Sequence, residues 1–202
     1  MVHPFFRDGR ITGSLSLDRY MQVMTDRADA PVDGLSAEDA ERVAFTKLNL
    51  HRSLRIGRTH RVDDQLSGLV KGLTAPTVWM VITEPWCGDS AQCLPYITLF
   101  TQLNPAIDLR LVLRDESLDI MDAFLTDGKR SIPRLVIFTA DGRELAQWGP
   151  RPAKAQAVFD AAKAAGDDKP RLLEKLHLWY GRDRGAALTT EFIALLKDMP
   201  RP

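Results

Sequence analysis

Long apolar runs are missing from this 202-residue chain, and so is any imbalance of charge, since 27 Lys and Arg face 27 Asp and Glu. No segment approaches the roughly 18 uninterrupted apolar residues of a membrane-crossing helix, so a membrane is not an expected partner. The opening MVHPFFRDGRITG lacks the apolar stretch of about 7–15 residues of a secretory leader, which makes the cytoplasm the expected location. A formal net charge of zero gives no reason to expect nucleic acid as the main partner. Cysteine is scarce too. Cys87 and Cys93 are too few for a disulfide scaffold, and in a reducing compartment such thiols are reactive, metal-bound or simply buried. Cys87, Asp89 and Cys93 follow a C-x-D-x3-C spacing that matches no structural zinc pattern, and no His stands near them in sequence. No metal site is expected.

What the chain does have is apolar content, 45% of its residues, enough for a sizeable core. It reads in three parts. Residues 1–75 look helical: a helix over about Leu17 to Asp26, a second opened by the capping-box-like Ser36-Ala37-Glu38-Asp39 and stopping near Gly57, and a short third carrying Leu66, Leu69, Val70 and Leu73. Residues 76–165 alternate strand and helix. Thr77 to Thr83 is β-branched and continuously apolar, as a buried central strand should be. A helix follows from about Cys87 to Leu103, then a strand over 109–113 and a helix over 117–126. Strands over 135–138 and 144–148 flank the hairpin signal Asp141-Gly142, and an Ala-rich helix over 153–165 closes the unit. Residues 166–202 read as two further helices, with Gly181 and Gly185 bracketing the break and Thr190 opening the second. The two flanking parts are helical extensions that are expected to pack on the middle one.

The informative stretch is Trp86-Cys87-Gly88-Asp89-Ser90, where a buried strand hands over to a helix. A cysteine there faces unpaired backbone N–H groups and the positive end of the helix dipole, and both favour thiolate. Such positions bring a cysteine pKa from about 8.5 into a range of roughly 3.5–7.5, and the thiolate is the nucleophile of disulfide exchange. Asp89 opposes this with its own charge. Cys93 lies six residues on, a helical rise of about 9 Å, whereas a disulfide needs Cα atoms within roughly 7 Å. Cys93 therefore reads as a buried helix-face thiol, with a second redox thiol as the alternative.

Four features resemble the thioredoxin superfamily: the Trp86-Cys87-Gly88 opening, Pro95 eight residues after Cys87, Ser131-Ile132-Pro133 at the start of a strand, and the Asp141-Gly142 hairpin ending at Trp148-Gly149. The Cys-Gly-Asp-Ser wording and the helical extensions are similar to a less studied group of bacterial thioredoxin-like proteins. The resemblance implies an α/β fold, a thioredoxin-like central sheet flanked by helices. It also implies that Cys87 is the attacking thiol, and that Trp86, Ile132, Pro133 and Gly149 line a groove for the substrate, Pro133 after a cis bond. Ser90 stands where a thioredoxin has its second cysteine; it can hydrogen-bond the thiolate but cannot resolve a mixed disulfide. Val81 stands where thioredoxins bury an acid. The implied activity is that of a monothiol thiol–disulfide oxidoreductase. It would act on a protein or small-molecule disulfide, with no cofactor beyond glutathione or another small thiol. The alternative is a non-catalytic thioredoxin-fold module that holds a protein partner.

Three other groups stand out. Lys129 and Arg130 read as a solvated loop, with approach to the site, if the fold is that of the resemblance, as the alternative. Lys47, Arg52, Arg55, Arg58 and Arg61 read as a solvated helix face, with an anion- or partner-binding face as the alternative. His177, Trp179 and Tyr180, near Arg182 and Arg184, read as packing and helix-end residues.

Overall fold

The structure, a computed structural model, describes residues 2–200. In chain order its helices are α1 Pro4–Arg7, α2 Leu17–Ala28, α3 Ala37–Thr59, α4 Asp64–Lys71, α5 Gly88–Thr101, α6 Leu118–Asp122, α7 Ala153–Ala164, α8 Lys169–Asp183 and α9 Ala186–Asp198. Its strands are β1 Thr77–Thr83, β2 Ile107–Leu113, β3 Arg134–Thr139 and β4 Glu144–Trp148. They form one sheet in the order β2-β1-β3-β4. β1 runs parallel to β2 and antiparallel to β3, and β3 and β4 form the hairpin around Asp141-Gly142. Gly142 takes φ +87° there and its N–H donates to the Thr139 carbonyl at 2.9 Å.

All seven residues of β1 are buried because both faces of the sheet are covered. Alternation along the strand divides the apolar side chains between two clusters. Trp79 and Val81, with Leu111, Leu135 and Ile137, share one cluster with residues of α2 to α5 and α7 to α9. Val78, Met80 and Ile82, with Val112, Val136 and Phe138, share the other with Phe5, Phe6 and Ile11 near the N-terminus and with Ile120 and Met121 of α6. The flanking helices thus draw on the same apolar clusters as the sheet.

The helix boundaries correct several expectations. α3 runs through Gly57 to Thr59, and α8 through Gly181 to Asp183. A glycine within a helix costs only about 1 kcal/mol relative to alanine, and the buried Ile56 and Tyr180 beside them anchor those turns in the core. The break between the last two helices falls at Arg184 and Gly185, both in the left-handed region, so α9 begins at Ala186 with Thr190 inside it. The helix expected over 117–126 is shorter, a 3-10 turn over Arg114–Glu116 followed by α6. Ser36 does cap α3, accepting from the Asp39 N–H at 3.1 Å.

Candidate functional site

The carboxyl end of β1 leads through Trp86 to Cys87, the N-cap residue of α5. The Cys87 sulfur accepts the Ser90 N–H at 3.5 Å, and its S–H donates to the Ile132 carbonyl at 3.4 Å. The Ile132–Pro133 bond is cis, and the Ile132 carbonyl in the loop before β3 faces the sulfur. Gly149 closes the same corner with φ +117°; a Cβ on it would stand 2.3 Å from the Pro133 carbonyl oxygen, and only glycine fits. Pro95 sits inside α5. Cys87, Ser90, Ile132, Pro133 and Gly149 are therefore brought together.

Trp86 lines the cavity of Cys87 and is also held by two arginines. Arg42 from α3 and Arg114 from the 3-10 turn both approach its ring, at 5.4 and 4.9 Å from the centroid. Trp86 and Arg42 line two cavities. One, of about 410 Å³, carries Arg27, Asp39, Glu84 and Asp115. The other, of about 300 Å³, contains Cys87 and Gly88 and is walled by Phe45 of α3 and Leu173 and His177 of α8. Both helical extensions thus border the cysteine. Lys169 pairs with Glu41 across this cavity at 3.3 Å.

The thiol is not activated as the helix start alone would suggest. Burial, with Cys87 8% exposed, pushes its pKa up to about 11, and the Asp89 carboxylate acts in the same direction. The Ser90 side chain and the Ser90 and Asp89 N–H groups oppose this without reversing it. Desolvation outweighs the donors of the first turn because the sulfur meets protein rather than water.

Asp89 has partners that come from far along the chain. Arg151 donates to one of its oxygens through Nε at 3.1 Å and Nη2 at 2.6 Å, and Tyr180 of α8 donates to the other at 2.6 Å. The Tyr180 hydroxyl also lies 3.8 Å from the Cys93 sulfur. Cys93 is fully buried in the cluster of Trp79 and Val81, whereas Cys87 belongs to that of Val78 and Met80. Both cysteines are free thiols. His177 packs its ring edge against Gly88, where an added Cβ would meet Cε1 at 2.9 Å. Arg52 donates to His177 Nε2 at 3.3 Å, and burial lowers the pKa of His177 to about 4.

Val81 is fully buried, and a carboxylate is buried nearby in sequence. Glu84, with a side chain 1% exposed, accepts from Arg27 at 3.1 Å and from the Asp115 N–H at 2.9 Å. Burial raises its pKa. Lys129 and Arg130 lie in an exposed loop, as the favoured reading has it. Lys129 lies in an exposed turn paired with Thr126, and Arg130 is engaged by Asp122 at 2.6 Å. The roles of Arg42, Arg114, Arg151, His177 and Tyr180 had no local signal, because each reaches the site from a distant segment. Among the described residues no cluster of metal-ligating side chains occurs, and no helix is long and apolar enough to cross a membrane.

A family model described as thioredoxin matches residues 36–163, more than half of the chain. A search of curated proteins finds no match. Among solved structures, a protein of unknown function from Pseudomonas aeruginosa is similar with a TM-score of 0.58 at 16% identity, covering 93% of this chain and 94% of that one. An HIV 4E10 epitope scaffold is similar with a TM-score of 0.56 at 17% identity, again over 93% and 94% of the two chains. At these identities the likeness speaks for the fold alone.

Proposed function

The chain belongs to the thioredoxin family, and from that premise we propose that it is a monothiol thiol–disulfide oxidoreductase acting through Cys87. The observation that supports this reading best is the placement of the Cys87 sulfur. It sits at the cap of α5, faces the carbonyl before a cis proline, and borders a cavity of about 300 Å³. Ser90 offers no second sulfur, and Cys93 lies in the other apolar cluster, so the resolving thiol comes from outside.

In the first step Cys87 gives up its proton and attacks one sulfur of a substrate disulfide. A bond forms between the two sulfurs, the substrate S–S bond breaks, and the departing thiolate takes up a proton. In the second step the thiolate of an external small thiol, glutathione or a similar molecule, attacks the mixed disulfide. Cys87 leaves reduced, and the external thiol stays disulfide-bonded to the substrate half. A cytoplasmic bacterial setting, where such thiols are abundant, suits this cycle.

The α3 and α8 walls favour a small disulfide or a thin extended chain over a broad protein surface. With a pKa of about 11, only about one Cys87 in ten thousand is thiolate at pH 7, so turnover is slow there and climbs with pH. That same raised pKa, with Ser90 at the resolving position, favours the second reading, a non-catalytic module whose walled cavity binds a partner. Turnover separates the two. Reduction of a small dialkyl disulfide by excess glutathione, followed by coupled consumption of a glutathione-specific reductant, should be catalysed by wild type and by Cys93→Ser but not by Cys87→Ser. Equal background rates in all three proteins at pH 7 and pH 9.5 leave the binding module as the reading.

A further inference from the structure

Another cavity, of about 460 Å³, lies where the end of α3, the middle of α5 and the end of α8 meet. We propose that it binds the phosphate group of a small phosphorylated molecule. Arg55, His60 and Arg61 reach it from one part of the chain, Gln92 and Tyr96 from another, and Arg184 from a third. It thus unites two groups of basic residues that stand apart in the sequence.

Among the described residues Arg55, Arg61 and Arg184 form no salt bridge, as is true of several other arginines of the fold, but these three share one cavity. Arg27, Arg42, Arg114, Arg130 and Arg151 each have a carboxylate partner. No Asp or Glu lines the cavity of Arg55, Arg61 and Arg184. Asp183, next in sequence to Arg184, turns its carboxylate to the Ala187 N–H at 3.1 and 3.2 Å, capping α9. Three like charges around one space repel unless an anion sits among them.

A further observation points to a ligand. His60 stacks edge-on against Tyr96, with centroids 4.6 Å apart, and its Nε2 is buried without any hydrogen-bond partner. A buried imidazole nitrogen of this kind is normally satisfied, and an anion in the cavity would satisfy it. Arg184 also holds φ +53°, a conformation that favours glycine, while Gly185 behind it holds φ +86° and would strike the Tyr96 ring at 2.4 Å if it carried a Cβ. This left-handed pair ends α8, with the Arg184 N–H donating to the Tyr180 carbonyl at 3.1 Å, and leaves Arg184 among the residues that line the cavity.

A phosphate suits this set better than a single carboxylate. It carries more than one negative charge on one centre, and its oxygens match the planar forks of several guanidinium groups at once.

The test is calorimetric titration of the full chain with inorganic pyrophosphate and inorganic phosphate at constant low ionic strength. Citrate serves as a carboxylate of similar charge. The expected result is one saturable site for pyrophosphate, weakened at least about tenfold in Arg61→Gln and in Arg184→Gln and less than about twofold in Arg58→Gln. Arg58, at the end of α3 and three residues before Arg61, borders a different, apolar groove. Because these arginines are exposed, the variants should keep the wild-type melting temperature. In ¹⁵N-detected NMR spectra the His60 imidazole should shift on saturation. The proposal is overturned if nothing saturates up to roughly 10 mM. It is equally overturned if Arg58→Gln weakens binding as much as the cavity variants, or if citrate binds as tightly as pyrophosphate.

Discussion

Tyr180 donates a 2.6 Å hydrogen bond to the carboxylate of Asp89, tying α8 to the first turn of α5 two residues beyond Cys87. The bond is part-buried and its acceptor is a carboxylate, so its loss is felt. Tyr180→Phe removes the donor without changing the ring. We expect a loss of about 1.5–3 kcal/mol in urea unfolding; a change within error would mean that the hydroxyl is not holding the helix.

Asp89 and Arg151 form a pair whose side chains are 11% and 14% exposed. Arg151→Met strands a carboxylate next to the cysteine and should destabilise the protein by about 3–5 kcal/mol. Asp89→Asn works in the opposite sense on the thiol. It removes a charge that raises the Cys87 pKa, so the midpoint of Cys87 alkylation against pH should fall below that of wild type, about 11. Measured in a Cys93→Ser background, an unchanged midpoint would count against this electrostatic link.

The raised Cys87 pKa also makes a stability prediction. The folded thiol titrates near 11, against an ordinary value of 9.0. Between those pH values the unfolded chain releases the proton and the folded chain keeps it, so the unfolded state gains as pH rises. The contribution is fully present below about pH 9 and lost on the way to pH 11. Wild type should therefore lose up to about 3 kcal/mol relative to Cys87→Ser across that interval. Parallel curves from chemical denaturation would contradict it.

His177 gives the mirror case on the acid side. Its pKa is lowered to about 4 from an ordinary 6.5, because burial and the Arg52 charge disfavour the protonated ring. Its contribution holds above about pH 6.5 and is lost as pH falls toward 4, since the unfolded chain takes up the proton first. His177→Gln should flatten the acid limb of the stability profile over that window. The ring also abuts Gly88, so Gly88→Ala should destabilise wild type and do so less in a His177→Ala background. Additive losses in that double-mutant cycle would show that the two residues do not press on each other.

Much of the frame could be read in advance because its signals are local. The apolar run Thr77–Thr83, the Asp141-Gly142 turn and the handover from Trp86 to Cys87 depend on near neighbours. Helix ends were less legible. Gly57 and Gly181 look like stops, yet the core contacts of Ile56 and Tyr180 carry the helices past them. The surroundings of the cysteine were the least legible. Helix-start logic favours thiolate, but the thiol ends up protonated because the chain folds over it. The partners that matter there, Arg42, Arg114, Arg151, His177 and Tyr180, arrive from four other elements or loops. No periodicity records such meetings.

The most direct test of Cys87 as the working thiol is intact-mass analysis after incubation of the folded chain with glutathione disulfide at pH 9, in wild type, Cys87→Ser and Cys93→Ser. One glutathione adduct should form in wild type and in Cys93→Ser, be absent from Cys87→Ser, and be released by added glutathione. An adduct on Cys93 alone, or none in the folded protein, would contradict the assignment and leave the walled cavity as a binding site without redox chemistry.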